Sequence, residues 1–142
     1  MVFHTPPGTL EMLAEHSTLT LATSWRDRPW ASQVFFAEEV VDEELSLHFA
    51  TLKPSRKWRH MTANPVAAFA VGQEGPRKWL QGRGRVLPSS GEDRIVTLLK
   101  GKSPDFELFV GSVEAQFFRL VVDEIRLVDL TSAKPRTSWI RR

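Results

Sequence analysis

The chain has no cysteine and no tyrosine. Without cysteine there are no disulfides, thiolate nucleophiles or thiolate metal ligands, and we expect a cytoplasmic protein. No apolar run is long enough to span a bilayer. Met1–Pro7 lacks the basic start and apolar core of a signal peptide. The most telling absence is local: from Leu45 to Gln73 there is no aspartate or glutamate.

Positive charge fills that gap. The window from Leu45 to Gly91 holds eight Lys or Arg and a single acid, Glu74, so it carries +7 and the remainder −5, although the whole chain is only +2. Such segregation builds a local positive field. The alternative reading is a solvated basic face. Lys53, Arg56, Lys57 and Arg59 fall within seven residues, beside Thr51, Pro54 and Ser55. A strand ends there and a helix begins. Helix starts leave N–H groups unpaired and favour negative charge, so the segment reads as a site for a phosphate-bearing small molecule.

The 142 residues, 42% hydrophobic and 25% charged, suit one globular domain with a real core. We expect a single domain over 1–142, with its core at about 10–130 and a tail at 131–142. A helix is expected over Thr9–His16, with Leu10, Leu13 and Ala14 on its buried face. Strands are expected over Leu19–Ser24, Trp30–Ala37 and Leu45–Thr51, with turns at Arg26–Pro29 and Val40–Glu44. The second helix, Ser55–Ala63, should stop at Asn64-Pro65. Val66–Val71 reads as a strand buried on both faces. In the strand Trp79–Leu87, Gly82 and Gly84 signal a bulge or a close backbone approach. Ser90 should cap a helix ending at Gly101, and Ser103-Pro104-Asp105 should begin another. Gln116–Val122 and Ile125–Leu130 complete six or seven strands. Strand following strand across short turns points to an antiparallel sheet or barrel.

Few residues offer chemistry of their own. His4, His16, His48 and His60 have no helical metal-site spacing, so no metal is expected. His48 reads as a satisfied, partly buried histidine. His60, four residues after Arg56, either shares an anion-binding face with it or is simply exposed. No nucleophile elbow, P-loop or dinucleotide fingerprint occurs. Glu38-Glu39 and Glu43-Glu44 read as solvated pairs near a turn. No catalytic residue is assigned, and a bound cofactor would carry any reaction. Of the five tryptophans, Trp58 and Trp79 fall near the basic segment, with core packing as their main expected role.

The order of motifs is distinctive: Arg28-Pro29, Ser32-Gln33-Val34-Phe35-Phe36, Leu47-His48-Phe49-Ala50-Thr51, Ser55-Arg56-Lys57, Asn64-Pro65-Val66 and the Gly82 strand. It resembles the pyridoxamine 5′-phosphate oxidase-like FMN-binding split-barrel superfamily, over about Leu10–Leu130. The segment from Val122 through Trp139 is similar to its small YhbP-like branch. The resemblance implies a mainly β fold, a six-stranded antiparallel Greek-key split β-barrel with short flanking helices. It also implies a homodimer with FMN at the subunit interface. By the same resemblance, Ser32, Gln33, Val34 and Phe35 would run along the flavin and Ala50 and Thr51 would contact it. Ser55, Arg56 and Lys57 would hold the phosphate, and Arg77 would stand where the oxidases place a flavin-contacting glutamine. Ser32 stands where they carry a basic residue, so an activity other than the true oxidase reaction is expected.

Three functional readings follow. The first is an FMN-dependent oxidoreductase acting on a small molecule. The second is a binding module of the same fold, holding haem, a deazaflavin or another anionic ligand without turnover. The third and least favoured is a single-stranded nucleic-acid binder, in which tryptophans interleaved with basic residues stack bases. No membrane partner is expected.

Overall fold

The computed structural model describes residues 5–72, 77–90, 92–106 and 115–131, together with the backbone of 136–141. Helix α1 (Thr9–Ala14) leads into a three-stranded meander, β1 (Thr18–Trp25), β2 (Arg28–Val41) and β3 (Glu44–Leu52). Then come α2 (Arg56–Ala63), β4 (Val66–Val71), β5 (Lys78–Ser89), α3 (Asp93–Lys102), β6 (Ala115–Asp129) and β7 (Arg136–Arg141). All strand pairs are antiparallel, in the order β3-β2-β1-β4-β5-β6-β7. A further pairing of β3 with β6 closes the first six strands into a ring. Since β4 returns beside β1 rather than β3, the path is a Greek key. This is the split β-barrel expected from the sequence.

Both meander turns are two-residue loops. Arg26 and Asp27 have φ of 52° and 59°, and Asp42 and Glu43 have φ of 51° and 63°. Two successive positive φ values give the turn whose twist matches the flanking strands. The tightness of the second turn explains one correction: Val40 and Val41 belong to β2, which therefore carries Glu38 and Glu39 along a strand. The ring is pinned where β6 crosses β5. Arg83 pairs with Glu124 and Gly84 with Val122, so Asp123 is an extra, bulged residue. A Cβ on Gly84 would overlap the Val121 carbonyl, and one on Gly82 the Glu124 carbonyl. The close approach read from these glycines is thus present. The bulge also lets one strand run through the position where a break between two strands was expected.

The core lies inside the ring, built from alternate residues such as Leu19, Leu21, Phe36, Leu47, Phe49, Phe69, Leu80, Phe118 and Leu120. A second cluster, Ala37, Ala50, Ile95, Leu99 and Phe106, packs α3 onto the outside of β2 and β3. That packing explains why β3 is buried on both faces. Other expectations are corrected. In α1 the inward residues are Met12 and Leu13, while Leu10 is 41% exposed. The strand β4 is buried on one face only, since Val66 and Ala68 point outward. Ser90 does not cap α3: its hydroxyl donates to Glu92, and the helix continues through Gly101 to Lys102. The helix expected after Pro104 falls mainly on residues outside those described, as do the side chains of Trp139 and Arg141. Among the described residues, no helix is long and apolar enough to cross a membrane.

Candidate functional site

Local sequence fixes the start of α2 firmly. The Ser55 hydroxyl accepts a hydrogen bond from the Trp58 amide at 3.2 Å and lies 3.1 Å from the Thr51 hydroxyl. Trp58 Nε1 donates to Gln116 Oε1 at 2.6 Å, which ties the helix to β6. His60 Nδ1 meets the Thr23 hydroxyl at 3.1 Å, and Asn64 Nδ2 donates to the Ser24 carbonyl at 3.0 Å, which ties it to β1. The cap satisfies the third amide of the helix and leaves those of Arg56 and Lys57 outside the helical ladder.

Lys57 turns from this helix start toward the β1–β2 sheet. It lines a cleft of about 110 Å³ with Thr18, Gln33, Val34 and Phe35. Gln33 Nε2 donates to the Thr20 hydroxyl at 2.9 Å, which holds that part of the wall. Next to Gln33 on β2, the buried Ser32 Oγ has no hydrogen-bond partner. Burial pushes the Lys57 ammonium below its usual pKa. No carboxylate among the described residues pairs with it. A half-desolvated cation without a counterion, beside free helix amides, is chemically suited to a phosphate monoester.

Arg56 takes the other direction. Its guanidinium lies over the Trp30 ring, with Cζ 4.1 Å from the centroid. It lines a separate groove of about 410 Å³ with Trp25, Arg28, Pro29, Arg59 and His60. Lys57, Gln33, Val34 and Phe35 are therefore brought to one cleft, with Ser32 adjacent, while Arg56 faces the neighbouring groove. Thr51 is fully buried and acts through its contact with Ser55. Ala50 is buried in the cluster beneath α3. Arg77, at the start of β5, donates to the Leu130 carbonyl at 3.2 Å and does not line the cleft.

A further cavity, of about 340 Å³, opens beside α3 and includes Glu39, Glu44, Ser46, His48, Arg94 and Arg119. Sequence reasoning missed it because Glu38 and Glu39 were read as solvated. In fact Lys102 Nζ donates to Glu38 at 2.6 Å, and Glu39 takes hydrogen bonds from His48 Nε2 (3.1 Å) and from Arg94. Burial acts to raise the Glu39 pKa, but the bonds from Arg94 and His48 outweigh it and hold the carboxyl below its usual range. Arg119 pairs with Glu44 at 3.1 Å. His48 is only half satisfied, since its buried Nδ1 has no partner. The signal that would have revealed the cluster is β2 continuing to Val41. His60, also misread as an exposed anion contact or free surface residue, is buried and held by Thr23. Among the described residues, no cluster of potential ligands could hold a metal ion. Trp58 and Trp79 pack against the main core.

A Greek-key split barrel with a cationic cleft beside a capped helix defines a class of small-ligand-binding domains. The model of the family described as "Pyridoxamine 5'-phosphate oxidase" matches residues 6–129, and the chain belongs to that family. Among similar solved structures is a pyridoxamine 5'-phosphate oxidase-related, FMN binding protein from Nostoc punctiforme. It has 15% identity and a TM-score of 0.68, with 97% of this chain and 92% of that one covered. A FAD-binding protein from Mesorhizobium loti has 17% identity and a TM-score of 0.64, with 87% and 94% covered. A heme binding protein from Mycobacterium smegmatis has 15% identity and a TM-score of 0.69, with 95% of this chain but 59% of that one covered. Comparison with curated proteins gives no sequence match.

Proposed function

We propose that this protein binds FMN, with its phosphate at the Lys57 cleft, and acts as a flavin-dependent oxidoreductase on a small molecule. The observation that carries the reading is Lys57 itself: a desolvated cation with no described carboxylate partner, in a chain of this family. Lys57 Nζ would bind the phosphate, with the Arg56 and Lys57 amides adding donors. Ser55 and Thr51 position those amides through the cap. The orphaned Ser32 Oγ supplies a polar atom where the oxidases place a cation, and Gln33, Val34 and Phe35 form the wall that orients the ring system. When bound, FMN supplies a ring that accepts and returns a hydride.

The first half of β2 suits a second copy of the chain. Arg28–Ala31 is exposed, and Trp30 is 41% exposed. We propose that a homodimer covers this stretch and closes the cofactor site. Sedimentation of a dimer that dissociates on Trp30→Glu is the expected result.

The proposal is tested by titrating the flavin-free protein with FMN and with riboflavin, which lacks the phosphate. FMN should bind at least about tenfold tighter, as one charge-assisted contact of about 1.5–3 kcal/mol requires. Lys57→Ala should abolish the difference. Equal binding of both flavins, or none of either, overturns the reading.

A further inference from the structure

The groove on the other side of α2 is a second anion site with a different geometry. Its lining includes three guanidiniums, Arg28, Arg56 and Arg59, and no carboxylate. None of the three pairs with a carboxylate among the described residues. Asp27, the nearest acid along the chain, sits in the β1–β2 turn and does not line the groove. His60 forms part of the wall, with its ring fixed by Thr23.

Two of the arginines beside this groove are laid flat on indoles. Arg56 Cζ is 4.1 Å from the Trp30 ring centroid, and Arg26 Cζ is 4.3 Å from that of Trp25. A guanidinium stacked on a ring keeps its N–H edges free and its orientation fixed, which suits it to bidentate contact with phosphate. Like charges gathered this closely repel one another until an anion of more than one charge lies between them. The groove volume, about 410 Å³, falls in the range of roughly 300–1,000 Å³ typical of small-ligand sites. Trp25, 41% exposed and part of the lining, adds an aromatic surface.

We infer that this groove binds a nucleoside diphosphate, with its two phosphates across Arg28, Arg56 and Arg59 and its base against Trp25. The site stands apart from the Lys57 cleft and does not depend on flavin binding there.

The test uses flavin-free protein, with ADP as the probe, followed by calorimetry and tryptophan fluorescence. ADP should bind saturably and at least about threefold tighter than pyrophosphate. The double variant Arg28→Ala with Arg59→Ala removes two exposed side chains, and its circular dichroism should match that of the parent. It should weaken ADP binding at least about thirtyfold, whereas Lys57→Ala should leave it within about threefold. Four outcomes overturn the inference: no saturable ADP binding; loss of ADP binding in Lys57→Ala, which assigns it to the flavin cleft; pyrophosphate binding as tightly as ADP; or a ten-residue oligothymidylate binding more tightly than ADP, which assigns the groove to single-stranded nucleic acid. Failure of FMN to bind would leave this result unaffected, so the two readings fail separately.

Discussion

The two sides of this barrel treat charge in opposite ways. Beside α3, cations meet carboxylates: Lys102 with Glu38, Arg94 and His48 with Glu39, Arg119 with Glu44. Around α2, Lys57, Arg56, Arg59 and Arg28 have no such partners among the described residues. The first arrangement holds a helix onto a sheet and is complete within the chain. The second keeps its attraction for something from outside. Exposed ion pairs contribute little to stability, but the Glu38 and Glu39 pairs are largely shielded, so breaking one leaves a poorly solvated charge. The contrast is between charge used to fold and charge reserved for binding.

Placing a carboxylate on the binding side should break the contrast most sharply. Gln33→Glu puts an acid within the Lys57 cleft. FMN affinity should fall about 100-fold, equivalent to roughly 2.7 kcal/mol, as the lysine is neutralised and the phosphate repelled. Flavin fluorescence titration reads this directly. Removing a carboxylate from the structural side comes next: Glu39→Ala should cost about 1.5–3 kcal/mol in urea unfolding by leaving Arg94 and His48 unpaired, with FMN binding unchanged.

The same carboxylate sets a pH window. Glu39 titrates below its ordinary value in the folded chain, so the stability it contributes is present above the unfolded pKa and disappears as pH falls through the folded one. Stability measured from pH 6 downward should decline below about pH 4.3, the unperturbed glutamate value. In Glu39→Gln that decline should be shallower. The smallest effect belongs to Lys57. Its depressed pKa means that burial disfavours the charged form, so at neutral pH the ammonium costs the ligand-free protein stability. Lys57→Met should raise the melting temperature of the ligand-free protein by no more than about 4 °C, the shift expected from roughly 1 kcal/mol, while abolishing the preference for FMN over riboflavin.

The binding side was far more legible in sequence than the structural side. Ser55 and Asn64-Pro65 bound α2 chemically, and the acid-free stretch around Lys57 is visible without coordinates. What sequence did not show is that adjacent helix residues diverge in direction: Arg56 is drawn onto Trp30, a residue 26 positions earlier on another element, while Lys57 faces β1 and β2. The α3 side was obscured by a turn. Asp42-Glu43 forms a two-residue loop without the usual glycine or asparagine, so β2 looked shorter and its glutamates looked solvated. Met12 rather than Leu10 faces inward because α1 docks through tertiary contact and not by its own periodicity. The glycine signal in β5 succeeded because it depends on steric exclusion alone, which no distant residue can override.

That steric exclusion bears on how the architecture persists. At Gly82 and Gly84 the sheet bends because backbone meets backbone, so its curvature depends on two missing side chains more than on any particular packing partner. Core residues elsewhere in the ring are then free to be exchanged for others of similar bulk without moving the clefts around α2. Neighbours that share this shape at 15–17% identity are what such an arrangement permits: the scaffold is inherited through an omission, and the surface chemistry is left to diverge.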